Sequence, residues 1–239
     1  MPERLDGLLL RQKPTAERPL AGQTVLVIED SRFASEAMRL MCLRSGARVR
    51  RADSLASAAR HLATYRPSVA VVDLGLPDGS GTSLISELTS ISPPVEVIIA
   101  VSGDPSLGDR AVDAGAHAFV EKPMTSLAAF QELILGYLPD EDRPPGARTL
   151  NEDDVAPDRI ALRDDLVHLK TVLSSQDADE RLAYAAQFLA SIARAAGDAG
   201  LEEAANLLAD ATAPGRDFRA VIAKVLAILE PRIADTAIV

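Results

Sequence analysis

Cysteine and histidine are scarce in this 239-residue chain: Cys42 stands alone, and His61, His117 and His168 lie far apart. One cysteine forms no intrachain disulfide, and no Cys/His spacing supports a zinc site, so the chain reads as a protein of a reducing cytoplasm. Long apolar runs are missing too. None approaches the ~18–20 residues of a membrane helix, and the start MPERLDGLLLRQKP lacks a secretory signal's apolar core and cleavage site. Basic residues are few in the second half, where 9 face 16 acidic ones after position 150, against 16 and 19 before it. A surface of that sign repels phosphate backbones and disfavours nucleic-acid partners. The apolar share, 47%, is ample for a core and excludes wholesale disorder.

Residues 1–21 carry mixed charge and three prolines, Pro14 and Pro19 among them, and read as a loosely held extension. Short Val/Ile-rich runs then alternate with stretches of helical period. Strands are expected at 24–28, 47–51, 68–72, 95–101 and 118–121, and helices at 32–45, 55–65, 81–90, 107–114 and 126–138. Strict alternation predicts an α/β domain over 22–138: a doubly wound, five-stranded parallel sheet of flavodoxin-like order, with its ligand site at the carboxyl ends of the strands. Residues 139–157, dense in proline and charge, read as a linker. From 158 to 239 there is no strand signal; helical spacing recurs at 159–173, 178–196, 201–210 and from 218 to 229 or beyond. Leu162, Leu166, Leu169 and Leu173 form one apolar stripe, and Leu182, Ala185, Leu189, Ile192 and Ala196 another. An all-α four-helix bundle is the expected packing.

The polar residues at the strand ends carry the chemistry. Glu29 and Asp30 follow the first strand, Asp73 the third, Ser102 the fourth, and Lys122 and Pro123 the fifth. A parallel sheet brings these ends to one edge, where three carboxylates converge with a hydroxyl and an ammonium. Such a cluster calls for a hard divalent cation, Mg²⁺ above all, and the lysine and hydroxyl then suit the remaining oxygens of a phosphoryl group. Singly, Asp30 reads as a helix cap, Ser102 as a turn residue and Phe119 as core. Jointly, core packing has no use for three acids and a lysine together.

The pieces VLVIEDS, VVDLGLPDGSG, AVSG and FVEKP, in this order between Gln23 and Leu138, closely resemble the receiver domain of two-component response regulators. The resemblance implies that Asp73 accepts a phosphoryl group from a histidine kinase or phosphotransfer protein. Glu29, Asp30, Asp73 and the Gly75 carbonyl would hold Mg²⁺, with Ser102 and Lys122 on the phosphoryl oxygens. Phe119 and Ser102 would form the conformational switch, and the Lys122–Pro123 bond would be cis. A dehalogenase-type phosphatase pattern needs a second Asp where Gly75 stands, and is rejected. The implied role is a signalling component, not a metabolic enzyme.

The helical segment carries no Gly-rich turn between short helices with basic flanks, so DNA output is not expected. AAQFLASIARAAGDAGLEEAANLL instead resembles the histidine phosphotransfer bundle, with Leu189, Ser191 and Gly197 at fitting offsets. Gln187 stands in the histidine's place and Ala190 in the lysine's, so phosphotransfer cannot occur there. Glu180, Tyr184, Gln187, Ser191 and Arg194 share one helix face, a candidate docking surface for a downstream protein; Gln187 reads equally as an ordinary surface residue. The expected protein is thus a cytoplasmic response regulator whose phosphorylation leads to exposure of the bundle or to a homodimer. Two rivals remain: a phosphorelay transferase using His168, and a docking scaffold indifferent to phosphorylation. Cys42 reads as a core filler.

Overall fold

The computed structural model describes residues 12–146, 154–155, 158–213 and 216–235. The first unit runs β1 (Thr24–Ile28), α1 (Arg32–Arg44), β2 (Arg48–Ala52), α2 (Leu55–Leu62), β3 (Val69–Asp73), a short hairpin of β4 (Gly75–Leu76) and β5 (Gly79–Ser80), α3 (Gly81–Ser90), β6 (Val97–Ser102), α4 (Gly108–Asp113), β7 (Ala118–Glu121) and α5 (Leu127–Tyr137). The main sheet has five parallel strands in the order β2-β1-β3-β6-β7. This is the doubly wound order expected, and the chain reverses its direction of winding between β1 and β3.

Side-chain alternation along the strands builds two apolar layers. Val25, Val27, Val69, Val71, Val97 and Ile99 face α1 and α5, where Met38, Met41, Phe130 and Ile134 cover them. Leu26, Ile28, Ala70, Val72, Ile98 and Ala100 face the opposite way, onto Ala58, Leu84, Ile85, Leu88 and Ala111 of α2, α3 and α4. Serines start four of these helices: Ser31, Ser54, Ser80 and Ser126 each accept a first-turn amide of α1, α2, α3 and α5. The expected fourth helix is shorter than its pattern, because Asp104 and Pro105 first form a 3-10 turn over Pro105–Leu107.

The C-terminal region contains α6 (Arg159–Leu173), α7 (Leu182–Ala196), α8 (Ala199–Ala211) and α9 (Phe218–Asp235). Leu166, Leu169, Leu182, Leu189, Ile192, Leu201, Leu208, Val225 and Leu229 share one core. The second of these helices starts at Leu182 and not at Ala178, since residues 178–181 form turns. Gly197, at φ 64°, closes α7 in the left-handed conformation, and Asp198 at once caps α8 through the Gly200 and Leu201 amides.

Two segments read as peripheral contribute to the first core. Residues 1–11 of the extension lie outside the described residues, but Leu20 is fully buried and its amide donates to the Ser45 carbonyl (2.9 Å). In 139–157, residues 147–153 and 156–157 lie outside the described residues; Val155 is buried in the apolar layer on the α1 and α5 side of the sheet, its amide donating to the Thr125 carbonyl. One or two apolar residues have no period, so sequence alone could not assign them to a core.

Candidate functional site

Parallel register sets the site. With Asp73 beside Val101 and Ser102 beside Glu121, the ends of β1, β3, β6 and β7 form one edge. Lys122 Nζ lies 2.7 Å from Glu29 Oε2 and 2.8 Å from Asp73 Oδ2, bridging two strands. Glu29, Asp73 and Lys122 are each at most 5% exposed. The Gly75 amide donates to Asp73 Oδ1 (3.1 Å) and the Ser31 amide to Glu29 Oε1 (3.3 Å). Ser102 is fully buried at the end of β6, its Oγ accepting from the Asp104 amide (3.1 Å). Phe119 is half-buried on the α4 side, its ring beside Gly108, and the Lys122–Pro123 peptide is cis.

Charge and burial are in conflict here. Burial raises the Glu29 carboxyl well above the usual range; Lys122 opposes this, while the Asp73 and Asp30 charges add to it. Burial and the Asp73 charge push Asp30 up to about 7, against the opposing hydrogen bond from Tyr184 and the Lys122 charge. For Lys122 burial is the largest single effect and favours the neutral amine, but Asp73 and Glu29 together outweigh it and keep the ammonium charged. Oxygens of Glu29, Asp30 and Asp73 lie within 4.8 Å of one another. Three carboxylates against one ammonium leave the cluster short of positive charge, so a hard divalent cation with oxygen ligands fits this donor set.

The C-terminal helices lie directly on this edge. Tyr184 of α7 donates its hydroxyl to Asp30 Oδ2 (2.7 Å), and its ring stacks on Phe188. Gln187 sits over Gly75, where an added Cβ would come within 2.7 Å of its Nε2. Ser191 lines a gap with Lys122, and Arg194 lies against Gly103 with Nη1 3.5 Å from Glu121. Glu180, from the same stripe, lies in the exposed turn before α7. On α6, Asp165 accepts from Ser31 Oγ (2.7 Å) and from the amides of Arg32 (2.7 Å) and Phe33 (3.0 Å). The face read as a docking surface is thus occupied by the chain's own acidic site.

Asp165, Phe188 and Gly81 escaped the sequence reading. Asp165 caps the start of α1 from another unit, which no local motif records. Gly81 does have a local signal, the Gly that ends VVDLGLPDGSG: its backbone packs so closely that a Cβ would strike the Asp73 carbonyl. His168 does not join Asp73. It lines a cavity of about 690 Å³ on the Glu29–Asp30 side, with Nε2 3.4 Å from the Tyr184 hydroxyl. Burial, then the charges of Arg181 and Arg32, hold its imidazole below the ordinary value. Cys42 is buried in the core under α1.

The fold and site define a class: a doubly wound α/β domain with a buried acid cluster and a lysine at its topological switch edge. Residues 25–134 match the family model described as the response regulator receiver domain, and the chain therefore contains such a domain. It is 32% identical over 99 residues to the KDP operon transcriptional regulatory protein KdpE of Escherichia coli, covering 41% of this chain and 44% of that one. It is 36% identical over 101 residues to the virulence transcriptional regulatory protein PhoP of Salmonella typhimurium, covering 41% and 45%. The chain spans less than half the length of these relatives. Among solved structures it is similar to the receiver domain of the sensor histidine kinase PA1611 from Pseudomonas aeruginosa, described with magnesium in its active-site cleft. That match has 26% identity and a TM-score of 0.45, over 49% of this chain and 98% of that one.

Proposed function

We propose that the protein is a response regulator of a two-component phosphorelay, switched by phosphorylation of Asp73 and acting through protein contacts of its C-terminal helices. The observation that carries this reading is the Asp73 carboxylate at the switch edge, bonded to Lys122 and flanked by Glu29 and Asp30. Asp73 attacks the phosphorus of a phosphohistidine on a histidine kinase or phosphotransfer protein; the P–N bond breaks, an acyl phosphate forms, and the imidazole leaves with the electron pair. Lys122, held charged, supports the developing phosphoryl oxygens, and Ser102 responds with Phe119 as the switch. Glu29, Asp30, Asp73 and the Gly75 carbonyl would hold Mg²⁺, which when bound neutralises phosphoryl charge. Later hydrolysis resets the switch, so the protein acts as a signalling component, not as a metabolic enzyme.

The two named relatives are transcriptional regulators, but their similarity covers only 41% of this chain. The acidic C-terminal half supports a protein partner over nucleic acid. Among the described residues no helix is long and apolar enough to cross a membrane, in keeping with a cytoplasmic role. The test is incubation with acetyl phosphate and Mg²⁺ followed by a phosphate-affinity gel. Wild type should shift and Asp73→Ala should not; label lost in His168→Ala and kept in Asp73→Ala would favour the phosphorelay transferase instead.

A further inference from the structure

The α7 residues Gln187, Phe188 and Ser191 close over Asp73, Lys122 and Glu29 and leave a cavity of about 10 Å³. That space holds at most about one water molecule. A phosphorus atom cannot reach Asp73 Oδ through it, and a donor imidazole has nowhere to stand. What holds the cover down is polar and aimed at the site itself. Tyr184 binds Asp30, Asp165 takes the first amides of α1, and two ion pairs, Arg32–Asp164 (2.8 Å) and Arg194–Glu121 (3.5 Å), flank them. The apolar part of the same contact is loosely filled: a gap of about 30 Å³ remains between Phe33, Met38 and Met124 on one side and Ser191 and Ala195 on the other. A contact of directed polar bonds over an imperfect apolar fit is one that can separate.

We infer that the α6–α7 face occupies, within the chain, the seat that a helical phosphodonor must take, and that docking of this face and phosphorylation of Asp73 exclude one another. This rests on the reading of Asp73 as the phosphoacceptor. Gln187 stands over the site without a nucleophilic nitrogen, so the docked chain cannot phosphorylate itself. The donor must displace α6–α7, and by linkage a phosphoryl group on Asp73 weakens their docking by the same factor. Release then frees Tyr184, Gln187 and Arg194 for the downstream partner.

The first amides of a helix have no intrahelical acceptor, so those of Arg32 and Phe33 report directly on Asp165. The experiment follows Asp73 labelling by acetyl phosphate with Mg²⁺, and hydrogen exchange at Arg32 and Phe33, in full-length wild type, Asp165→Ala and Arg194→Glu. Arg194→Glu alters only a partly exposed side chain outside the helical core, so it stands if Asp165→Ala fails to fold. Both variants are expected to label about tenfold faster than wild type, as the competent fraction rises. Phosphorylated wild type should exchange these two amides faster than the unmodified protein. Equal labelling rates in all three chains, with amide exchange unchanged on phosphorylation, would overturn the inference while leaving Asp73 as the acceptor. No labelling of any chain, open variants included, would overturn the reading of Asp73 itself.

Discussion

At Gly81 the site forbids a side chain, because a Cβ would meet the carbonyl of Asp73. Gly81→Ala is therefore expected to cost about 1–3 kcal/mol, as overpacking does elsewhere; an unchanged urea midpoint would show that the backbone has room. The acid cluster makes a second prediction. A divalent cation that binds the folded state raises the melting temperature by mass action, so Mg²⁺ should stabilise wild type and lose that effect in Asp30→Asn. Cys42 gives the third: burial pushes its thiol up to about 12. Because the thiolate is the nucleophile, alkylation of the native protein at about pH 8 should be slow and should accelerate on unfolding; labelling at the rate of a free thiol would contradict this. Glu29, Asp30, Asp73 and Lys122 were legible because each ends an apolar run and parallel strands bring such ends together. Asp165 was not, since its partners lie 132 to 134 positions earlier and its own surroundings look like any acidic helix turn.

Among the elements, the buried strands of the sheet were read within one or two residues, because continuous Val/Ile runs admit little else. Helix ends were less legible. The last helix runs on to Asp235 with Pro231 inside it, where a proline ordinarily argues for a stop. Just beyond that proline, Arg232 makes two hydrogen bonds to the Asp198 carboxylate (2.7 and 2.8 Å), tying α9 to the start of α8. Leu189 of α7 is fully buried in the core shared by α6–α9. Leu189→Ala should therefore cost about 2–5 kcal/mol in chemical denaturation. A cost near zero would mean that α7 draws its order from the receiver and not from its neighbouring helices.

For the molecule as a whole, the sequence marked two units but not their arrangement. Both halves carry net negative charge, which on average argues for repulsion. Individual pairs decide otherwise: Arg32 meets Asp164, Arg194 meets Glu121, and Tyr184 reaches the acid cluster itself. Such contacts leave no periodic trace, so only the structure reveals that the C-terminal helices cover the acid cluster. The most direct measurement is intact-protein mass spectrometry after incubation with acetyl phosphate and Mg²⁺, beside the Asp73→Asn chain. One added phosphoryl group on wild type, released by hydroxylamine as an acyl phosphate must be and missing from Asp73→Asn, is expected. No added mass on wild type, or the same mass on Asp73→Asn, would contradict the account.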